Sequence, residues 1–596
     1  MSVPISDPRV LLLVAAAALS GCASSPKAPL ASSVAPVFAA QDLANVSERV
    51  LLVRADSAWA AESYGTAAIL YQAAVDRDSS NSRAVFRLAT QRSWSNRLDE
   101  GIRLYRRYVA LEPGDVDGHL ALARALAWNG QYAAAIAVYD SVLAQKGNQR
   151  DAVLGRAQTL GWAGRLSESL AIYRAWLAAH PADRDASVGY ARALAWNGDF
   201  GQAEKMFTQL SRTGDADAQE GLARVVAWRG DLDRSEQTWR RVLELRPQDP
   251  EALTGLAQTL RWEGRQSDAE RALVAALEKN PDYGEARTLL RSVQADLRPS
   301  VTVTGHGTND SDTNRATNLL VDYVNPWRWN TTFGARYIER RANFAAIDSR
   351  VHAATAFLAW QRGTWELRAA GGGAQHSSTL GPSSVKSATI MNGSLQGAGR
   401  VGSVLKVGFG MSRSPFDETA LLIANGVISS EYSGDAELAL PARVSLSAGA
   451  SHARLTGGTR DNLRNDYSSS LRWKYNRTWS IALGGRQFGY DSPSTDGYFA
   501  PRRYTLGELS TRGHIGGELG WNSDADVGLG RQNIELFGSG AESRLAERAS
   551  LSVGYRPDPS QEITLLGGYA NVAAPGQTKN SEYNFYSLSL RVRLGL

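Results

Sequence analysis

A tryptophan recurs along the first half of the chain at an almost constant interval. Successive copies are 34, 34, 34, 32 and 34 residues apart, and they are Trp94, Trp128, Trp162, Trp196, Trp228 and Trp262. Their surroundings repeat as well, because residues 123–130 and 191–198 both read ARALAWNG. A fixed period of this length predicts a stack of similar units, each of which buries its apolar face only against its neighbours.

Each period has the pattern of two helices joined by a turn. Apolar residues recur at i, i+3, i+4 and i+7 in both halves of the period, as in an amphipathic helix. A glycine two residues after the tryptophan allows a sharp turn, as at Gly130, Gly164, Gly198, Gly230 and Gly264. Proline, which cannot continue a helix, stands 19 residues after a tryptophan at Pro113, Pro181, Pro247 and Pro281. The period therefore predicts a helix–turn–helix unit.

This unit resembles the tetratricopeptide repeat (TPR). After Trp128 come Gly130, Tyr132, Ala135 and Tyr139, which is similar to the turn glycine, the small residue and the aromatic residue of that family. A weaker repeat precedes these, with Ala60 where the tryptophan would stand. The resemblance implies a solenoid of about seven repeats over residues 44–297. We expect the repeat tryptophans to pack helix A against helix B and to serve the structure rather than a ligand.

The N-terminal residues predict an exported lipoprotein. An apolar run over residues 10–19 is too short to span a bilayer and is typical of a signal peptide. The sequence LSGC at residues 19–22 resembles the bacterial lipobox, whose cysteine is lipidated, and the alanine that follows implies sorting to the outer membrane. The alternative is an ordinary signal peptide with an incidental cysteine. We expect a signal peptide over residues 1–21, lipidation at Cys22 and a flexible tether over residues 22–43.

Composition and motifs exclude several classes of protein. A formal net charge of +5 on 596 residues gives no indication of nucleic-acid binding. Cys22 is the only cysteine, so the chain has no disulfide framework and no thiolate metal site. The seven histidines are scattered, and the glycines at 371–373 lack the lysine of a phosphate loop and instead indicate close strand packing or a bend. We expect a non-enzymatic protein without cofactor or metal.

From residue 298 onward the helical period gives way to alternation. In residues 586–596, YSLSLRVRLGL, every second residue is tyrosine, leucine or valine, and those between them are serine, arginine or glycine. This pattern predicts a β-strand with one apolar and one polar face. A soluble β-domain would bury the apolar face, whereas a membrane barrel would turn it towards lipid. One strand does not decide between the two.

The spacing of the turns favours the membrane barrel. Tight junctions are predicted at residues 325–326, 362–363, 399–400, 441–442, 476–477, 513–514 and 557–558. Longer polar loops fall between them, at residues 376–384, 414–426, 491–497 and 574–580. Tryptophans and tyrosines flank the short turns, as in the aromatic girdle of an outer-membrane barrel. Seven short turns joining eight hairpins predict an antiparallel transmembrane barrel of about 16 strands, with 12 to 16 allowed, over residues 298–596.

The combination resembles a known family of envelope proteins. A lipoprotein-type leader, TPR units that carry AWNG and a hairpin-rich second half together resemble the YaiO-type outer-membrane β-barrel proteins. The layout is also similar to that of TPR-porin exporters of exopolysaccharide, in which the helical array organises periplasmic partners and the barrel passes the polymer. This second likeness is an analogy of layout.

The barrel lumen is the candidate functional site. If the aromatic residues of two strands face lipid, the basic residues between them face the lumen. The last strand adds two more basic residues by the same alternation. The candidates are Arg328, Arg336, Arg340, Arg472, Lys474, Arg591 and Arg593. They would attract anionic solutes, or they would pair with Asp and Glu and make the barrel rigid.

These expectations combine into one functional hypothesis. The chain is an outer-membrane lipoprotein of a Gram-negative bacterium whose periplasmic TPR array binds periplasmic or envelope proteins. Its barrel is a channel or platform in the export of exopolysaccharide or another envelope component. The expected partners are outer-membrane lipid, envelope proteins and a polysaccharide, and nucleic acid is not among them. The alternative is a surface receptor or assembly scaffold that transports nothing.

Overall fold

The structure, a computed structural model, describes Leu43 and residues 46–596 apart from residues 96, 213, 282, 328–329, 381–384, 403, 477 and 573–582. The predicted signal peptide, Cys22, most of the tether and Arg328 lie outside the described residues. Within them, no helix combines the length and the apolar character that crossing a membrane requires. Residues 226–279 and 285–596 form one compact unit, and the helices before Val226 form another together with residues 280–284.

Helices occupy the chain from Glu48 to Asp296 and alternate between helix A (odd numbers) and helix B (even numbers) of successive repeats. They are α1 (Glu48–Ala60), α2 (Tyr64–Arg77), α3 (Ser82–Trp94), α4 (Leu98–Leu111), α5 (Val116–Trp128), α6 (Tyr132–Lys146), α7 (Arg150–Trp162), α8 (Leu166–Ala179), α9 (Arg184–Trp196), α10 (Phe200–Ser211), α11 (Ala216–Trp228), α12 (Leu232–Leu245), α13 (Pro250–Trp262), α14 (Gln266–Lys279) and α15 (Gly284–Asp296). The predicted TPR array is confirmed, and α15 leads into the first strand.

Both ends of the A helices follow the repeat period. The odd-numbered helices from α3 to α13 each end at a repeat tryptophan. The turn glycines that follow adopt positive φ, for example +73° at Gly130 and +86° at Gly198. At the other end, a side chain accepts hydrogen bonds from the first-turn backbone N–H groups. These capping residues are Asn81, Asp115, Gln149, Asp183, Asp215 and Asp249. The sequence analysis identified the glycine turns and missed the caps.

The repeat tryptophans make contacts with the neighbouring repeat. A Cβ on Gly161 would lie 3.0 Å from the Trp196 ring, and Trp94 stacks on Trp59 at 5.5 Å between ring centroids, so these two rings contact the preceding repeat. Trp94 and Trp128 keep 57% and 50% of their surface exposed. Trp94 also contacts Tyr64 of helix B in the preceding repeat, at 5.4 Å between ring centroids, so its ring reaches both helices of that repeat.

Glycine and an aromatic ring meet at the same point of successive repeats. A Cβ on Gly155 would lie 2.6 Å from the Tyr139 ring, and one on Gly189 would lie 2.6 Å from the Tyr173 hydroxyl. Gly221 faces Phe207 and Gly255 faces Trp239 in the same way. In each case the aromatic residue comes from helix B and the glycine from the next helix A. The missing side chain therefore makes the room that the buried ring occupies.

Sixteen antiparallel strands follow and close into a barrel, as predicted. They are β1 (Ser300–Asp310), β2 (Arg315–Pro326), β3 (Thr331–Phe344), β4 (Ile347–Arg362), β5 (Trp365–Leu380), β6 (Val385–Val401), β7 (Leu405–Pro415), β8 (Ile428–Leu440), β9 (Val444–Thr456), β10 (Asn462–Lys474), β11 (Trp479–Tyr490), β12 (Arg503–Gly516), β13 (Gly520–Glu535), β14 (Ala541–Asp558), β15 (Gln561–Ala570) and β16 (Phe585–Gly595). Each strand pairs with its neighbours in the chain, and β1 pairs with β16 from Ser300↔Gly595 to Asp310↔Phe585.

Several predicted loop boundaries need correction, and the turns predicted at residues 325–326, 399–400 and 557–558 fall within the last residues of β2, β6 and β14. The turn predicted at residues 513–514 lies at residues 517–519, because β12 and β13 continue their pairing to Gly516↔Asn522. The loop predicted at residues 376–384 is strand up to Leu380. The predicted polar loop at residues 414–426 contains a helix, α16 (Ala420–Asn425), whose side chains are largely buried. Gly372 lies inside β5, where a Cβ would collide with the backbone at Ala354, so close strand packing explains this glycine.

Candidate functional site

Helix α16 identifies which face of the barrel is the lumen. Ala420 and Ile423 pack in one cluster with side chains of β2 to β5, including Val351. Leu422 packs in another with side chains of β9 and β11 to β13, including Phe488. Strands β4 and β12 are eight strands apart in a ring of sixteen. A single helix that contacts both can do so only from inside the ring.

A second loop holds this helix in place. Asn425 donates to the carbonyl of Asp496 at 3.1 Å, and Thr419 donates to the carbonyl of Gly497 at 3.3 Å. Tyr498 and Phe499 from the same loop are buried in the cluster around Leu422. We call residues 416–427 and 491–502 together the lumen plug. It combines apolar packing with hydrogen bonds between the two loops, so the interior is obstructed at the end where the long loops lie.

Polar contacts also tie the plug to the barrel wall. Ser349 on β4 donates to the carbonyl of Ala420 at 2.8 Å. Arg340 on β3 forms an ion pair with Asp417 at 2.5 Å and donates to its carbonyl at 2.6 Å. Both wall residues share the lumen face, because β3–β4 pairing places Arg340 opposite Val351, next but one to Ser349. The plug is therefore attached to the wall by an ion pair at Arg340 and by a neutral hydrogen bond at Ser349.

Away from the plug, acidic and basic side chains pair along the lumen face. Arg548 contacts both Glu508, at 2.8 Å, and Asp526, and Arg512 contacts Asp526 at 3.0 Å. Because these residues lie on β12, β13 and β14, the pairs connect three neighbouring strands. Arg486 pairs with Asp466 at 2.5 Å across β11 and β10. Such a network stiffens the wall and leaves less unbalanced charge for a solute.

The predicted lumen residues fall into three groups by their contacts. Arg336 pairs with Asp322 at 2.6 Å and Arg340 pairs with Asp417 of the plug, so both have carboxylate partners. Arg472 donates to the Ser480 hydroxyl at 3.1 Å. No carboxylate lies within ion-pair distance of Lys474, Arg591 or Arg593 in the part of the chain that the structure describes, and the register places Arg591 opposite Thr304 and Thr564.

The acidic partners and the plug were missed at the sequence level. Asp322, Glu508 and Asp526 occupy the same alternating positions as the arginines they contact, so applying the alternation to every strand would have found them. The plug helix carries signals of its own. Thr419 accepts a hydrogen bond from Leu422 N as an N-cap, and Gly426 ends the helix with φ of +63°. An apolar run between a threonine and a glycine is a helix signature.

The helical repeats contain a second candidate site. A cavity of about 290 Å³ lies along helices α5, α7 and α9. Arg124, Gln158 and Arg192 line it from the same position of three successive A helices. The buried Tyr139 and Tyr173 form its apolar side, and burial raises the pKa of Tyr139 to about 12, which keeps its hydroxyl protonated. The groove offers polar side chains at repeat spacing to an extended partner.

Ion pairs between neighbouring repeats border this groove. Arg150 binds the carboxylate of Asp183 through two nitrogens, at 2.7 and 2.8 Å. Arg184 binds Asp215 in the same way, at 2.5 and 2.6 Å. Each carboxylate also caps an A helix, so one side chain joins two repeats. The hydrogen bonds from Arg150 and Arg184 hold the pKa values of Asp183 and Asp215 below the ordinary range of an aspartate.

The last two repeat tryptophans line a cavity in the compact unit that contains the barrel. Trp228 and Trp262 border a space of about 410 Å³ together with Arg400 and Lys406. Arg400 donates to the carbonyl of Arg229 at 3.1 Å, next to the Gly230 turn. In these two repeats the tryptophan–glycine turn therefore lines a cavity in addition to ending helix A. Among the described residues, no group of His, Cys, Asp and Glu has the arrangement of a metal site.

Comparison with known proteins supports the repeat assignment. The Tetratricopeptide repeat family matches residues 95–158, 163–225 and 229–293. No curated protein matches the chain. Among solved structures, the chain is similar to a tetratricopeptide repeat protein from Parabacteroides merdae ATCC 43184, with 14% identity over 41% of this chain and 98% of that one and a TM-score of 0.36.

Two further solved structures are similar to part of the chain. A bacterial polysaccharide outer membrane secretin has 10% identity over 50% of this chain and 99% of that one, with a TM-score of 0.39. PilW, a widely conserved type IV pilus biogenesis factor, has 18% identity over 41% of this chain and 100% of that one, with a TM-score of 0.27. None of these similarities is close enough to carry a function to this chain.

Proposed function

We propose that the protein is an outer-membrane component of an export or assembly system of the bacterial envelope. The observation that carries the proposal is the closed 16-strand barrel, which has large apolar side chains exposed on its outer face and paired charges on its inner face. An antiparallel barrel with this distribution is suited to lipid outside and water inside. A soluble β-domain would bury those apolar side chains.

The orientation follows from the leader and the strand count. An even number of strands places both barrel ends on the same side of the membrane, so the TPR repeats before β1 lie in the periplasm if the chain is secreted. Lipidation at Cys22 would add an anchor on the same membrane. The AWNG repeats and the barrel support membership of the YaiO-type proteins. In this proposal the long loops, including those of the plug, face the outside.

The TPR array is the partner-binding part of the proposal. Its groove presents Arg124, Gln158 and Arg192 at equal spacing beside buried tyrosines. Extended peptide segments of periplasmic or envelope proteins would bind there, since regularly spaced polar groups match the repeat of an extended chain. The barrel would then pass, or support the passage of, an envelope component such as an exopolysaccharide.

The lumen plug supports the alternative, in which the barrel transports nothing. Helix α16 is buried and contacts opposite walls, so a receptor or scaffold with a closed lumen is also consistent with the geometry. The two functions differ in one respect. An export barrel has to open, and its plug is a gate, whereas a scaffold keeps its plug as a permanent core.

Conductance across a planar bilayer separates the two. We expect the full chain to conduct little, and a variant in which residues 417–426 are replaced by a glycine–serine linker to conduct several times more, because the helix that spans the lumen is gone. Heat-modifiable mobility in gels confirms that both barrels are folded. If the folded variant conducts no more than the wild type, the channel function is wrong and the scaffold is favoured.

A further inference from the structure

A groove on the outer face of the barrel combines basic, polar and apolar side chains. It has a volume of about 410 Å³ and spans β16, β1, β2 and β3. It is lined by Gly307, Asn309, Arg315, Thr317, Arg341, Asn343, Tyr586 and Leu588, together with backbone neighbours. No acidic residue is part of the lining. The groove lies outside the lumen and plays no part in the plug.

The strand register shows that these side chains share the outer face. Arg315 lies opposite Asn309 and Asn343, and Thr317 lies opposite Gly307 and Arg341. The lumen-facing residues alternate with them, as Arg340 does when it contacts the plug. A Cβ on Gly307 would meet no atom within 4 Å, so this glycine leaves an open floor between Leu588 on β16 and Thr317 on β2. Arg315 and Arg341 both line the groove, so their side chains border one space.

The groove lies where the apolar surface of the barrel ends. All of its side chains lie within about four residues of the loop-side ends of their strands, or roughly 13 Å at the rise of a β-strand. On the side of the short turns, the exposed outer residues are apolar, as at Leu319 and Tyr337. Tyr586 and Leu588 keep 52% and 59% of their surface exposed within the groove itself. The groove thus has an apolar side on β16 and a cationic side on β2 and β3.

The position of the charges identifies the chemistry of the ligand. An arginine on the lipid-facing side is costly in the hydrocarbon and is tolerated at the headgroup level. Arg341 is partly neutralised by Glu339 at 2.7 Å, whereas no ion pair joins Arg315 to any residue that the structure describes. Guanidinium groups bind phosphate oxygens through two parallel hydrogen bonds. Asn309, Asn343 and Thr317 add donors and acceptors that suit sugar hydroxyls.

We propose that this groove binds a phosphorylated glycolipid of the loop-side leaflet, with a phosphate at Arg315 and Arg341 and an acyl chain along Tyr586 and Leu588. The proposal rests on the proposed membrane function, because it needs the barrel to span the bilayer with its long loops outside. A diacyl phospholipid offers the phosphate without the sugar, and free phosphate offers neither sugar nor chain. The glycolipid alone matches the cationic, the polar and the apolar parts of the groove.

The test measures lipid binding to the purified full chain in detergent micelles. Retention of diphosphorylated lipid A is compared with that of phosphatidylglycerol and of inorganic phosphate. We expect the wild type to prefer lipid A, and Arg315→Ala to weaken lipid A binding by about tenfold, as expected for the loss of one charge-assisted hydrogen bond. Gly307→Leu should weaken it as well, because its side chain would fill the open floor without changing a charge.

Two matched variants serve as controls. Arg503→Ala removes an exposed outer arginine at the loop end of β12, far from the groove, and Gly507→Leu adds a side chain at another outward glycine with open space around it. Both should bind lipid A like the wild type. The proposal is overturned if phosphatidylglycerol or inorganic phosphate binds as tightly as lipid A, if Arg315→Ala binds normally, or if the controls weaken binding to the same degree.

Insertion into lipid vesicles is measured separately for every variant. A chain that does not insert contradicts the proposed membrane function and the groove proposal with it. A chain that inserts and shows the expected conductance, but does not distinguish lipid A, contradicts the groove proposal alone.

Discussion

At the scale of single residues, the glycines of the A helices matter as much as the tryptophans that reveal the repeat. Gly155 and Gly189 stand where an aromatic ring of the preceding helix B needs room. The turn glycines such as Gly130 have a different role, because their positive φ is unfavourable for residues with a side chain. Only the second kind is visible from spacing alone, since the first depends on which ring packs against the helix.

Gly189→Ala should destabilise the helical repeats. The added methyl group would lie within 2.6 to 2.7 Å of the Tyr173 ring, so overpacking should lower the free energy of unfolding by about 1–3 kcal/mol. The control is Gly201→Ala in α10, where a Cβ meets no atom within 4 Å, and where alanine should be neutral or stabilising by up to about 1 kcal/mol.

The measurement is denaturant unfolding followed by the helical signal in far-ultraviolet circular dichroism. We expect a lower midpoint for Gly189→Ala and an equal or higher midpoint for Gly201→Ala than for the wild type. Equal midpoints would show that the Tyr173 ring moves aside at little cost.

At the scale of elements, arginine–aspartate ion pairs at the start of the A helices join neighbouring repeats. Asp183 caps α9 and at the same time receives two hydrogen bonds from Arg150 at the start of α7. Asp215 and Arg184 repeat this arrangement one unit later. The aspartates could be recognised as helix caps from the sequence. Their ion pairs with arginine could not, because these form only when one repeat stacks on the next.

Arg184→Ala should make the helical repeats less stable at neutral pH. The pKa of Asp215 is lowered in the folded state, so its ion pair contributes above the pKa of an unfolded aspartate and is lost as the pH falls through the lowered value. We expect a loss of about 1 kcal/mol near pH 7, because the pair is bidentate and half exposed. The difference from the wild type should shrink below about pH 4.

Thermal unfolding of the two proteins between neutral and acidic pH provides the measurement. Arg174→Ala, at an exposed position of α8, is the matched control and should behave as the wild type does at every pH. If the difference in stability between Arg184→Ala and the wild type stays constant down to the lowest pH, the role of Asp215 is contradicted.

In the barrel too, some contacts follow from the strand pattern, whereas others involve residues that are distant in sequence. Alternation along each strand places Arg336 and Asp322 on one face, and the register brings them within 2.6 Å. For Arg340, alternation indicates the lumen face and does not indicate its partner, because Asp417 is distant in sequence and belongs to a loop. The interpretation of lumen arginines as structural is thus supported by contacts for these two residues.

At the scale of the whole molecule, the repeat period predicts which deletions the chain tolerates. Removing residues 150–183 takes out one full period and joins Gln149 to Arg184, so that Gln149 caps α9 and Tyr139 faces Gly189. Because each repeat contacts only its neighbours, the shortened array should fold and its barrel should remain heat-modifiable. Its stability should fall, since one interface between repeats is lost.

Removing residues 150–166 is the control, because it takes out half a period. It would join helices of the wrong kind and leave apolar faces without partners, so this variant should aggregate or be degraded. Expression in membranes, the helical signal and limited proteolysis distinguish the two outcomes. Equal behaviour of both deletions would show that the period is not the unit of folding.

The sequence by itself determined the repeats, their turns, the number of strands and the two faces of the barrel wall. All of these are periodic, and a period is set by local geometry, namely 3.6 residues per helical turn and two per strand. The plug, the ion-pair partners of the lumen and the packing of Trp94 and Trp196 on the preceding repeat were decided only by the tertiary structure. Leu422 contacts the wall near Phe488 because sixteen strands close into a ring, and no local pattern encodes that closure.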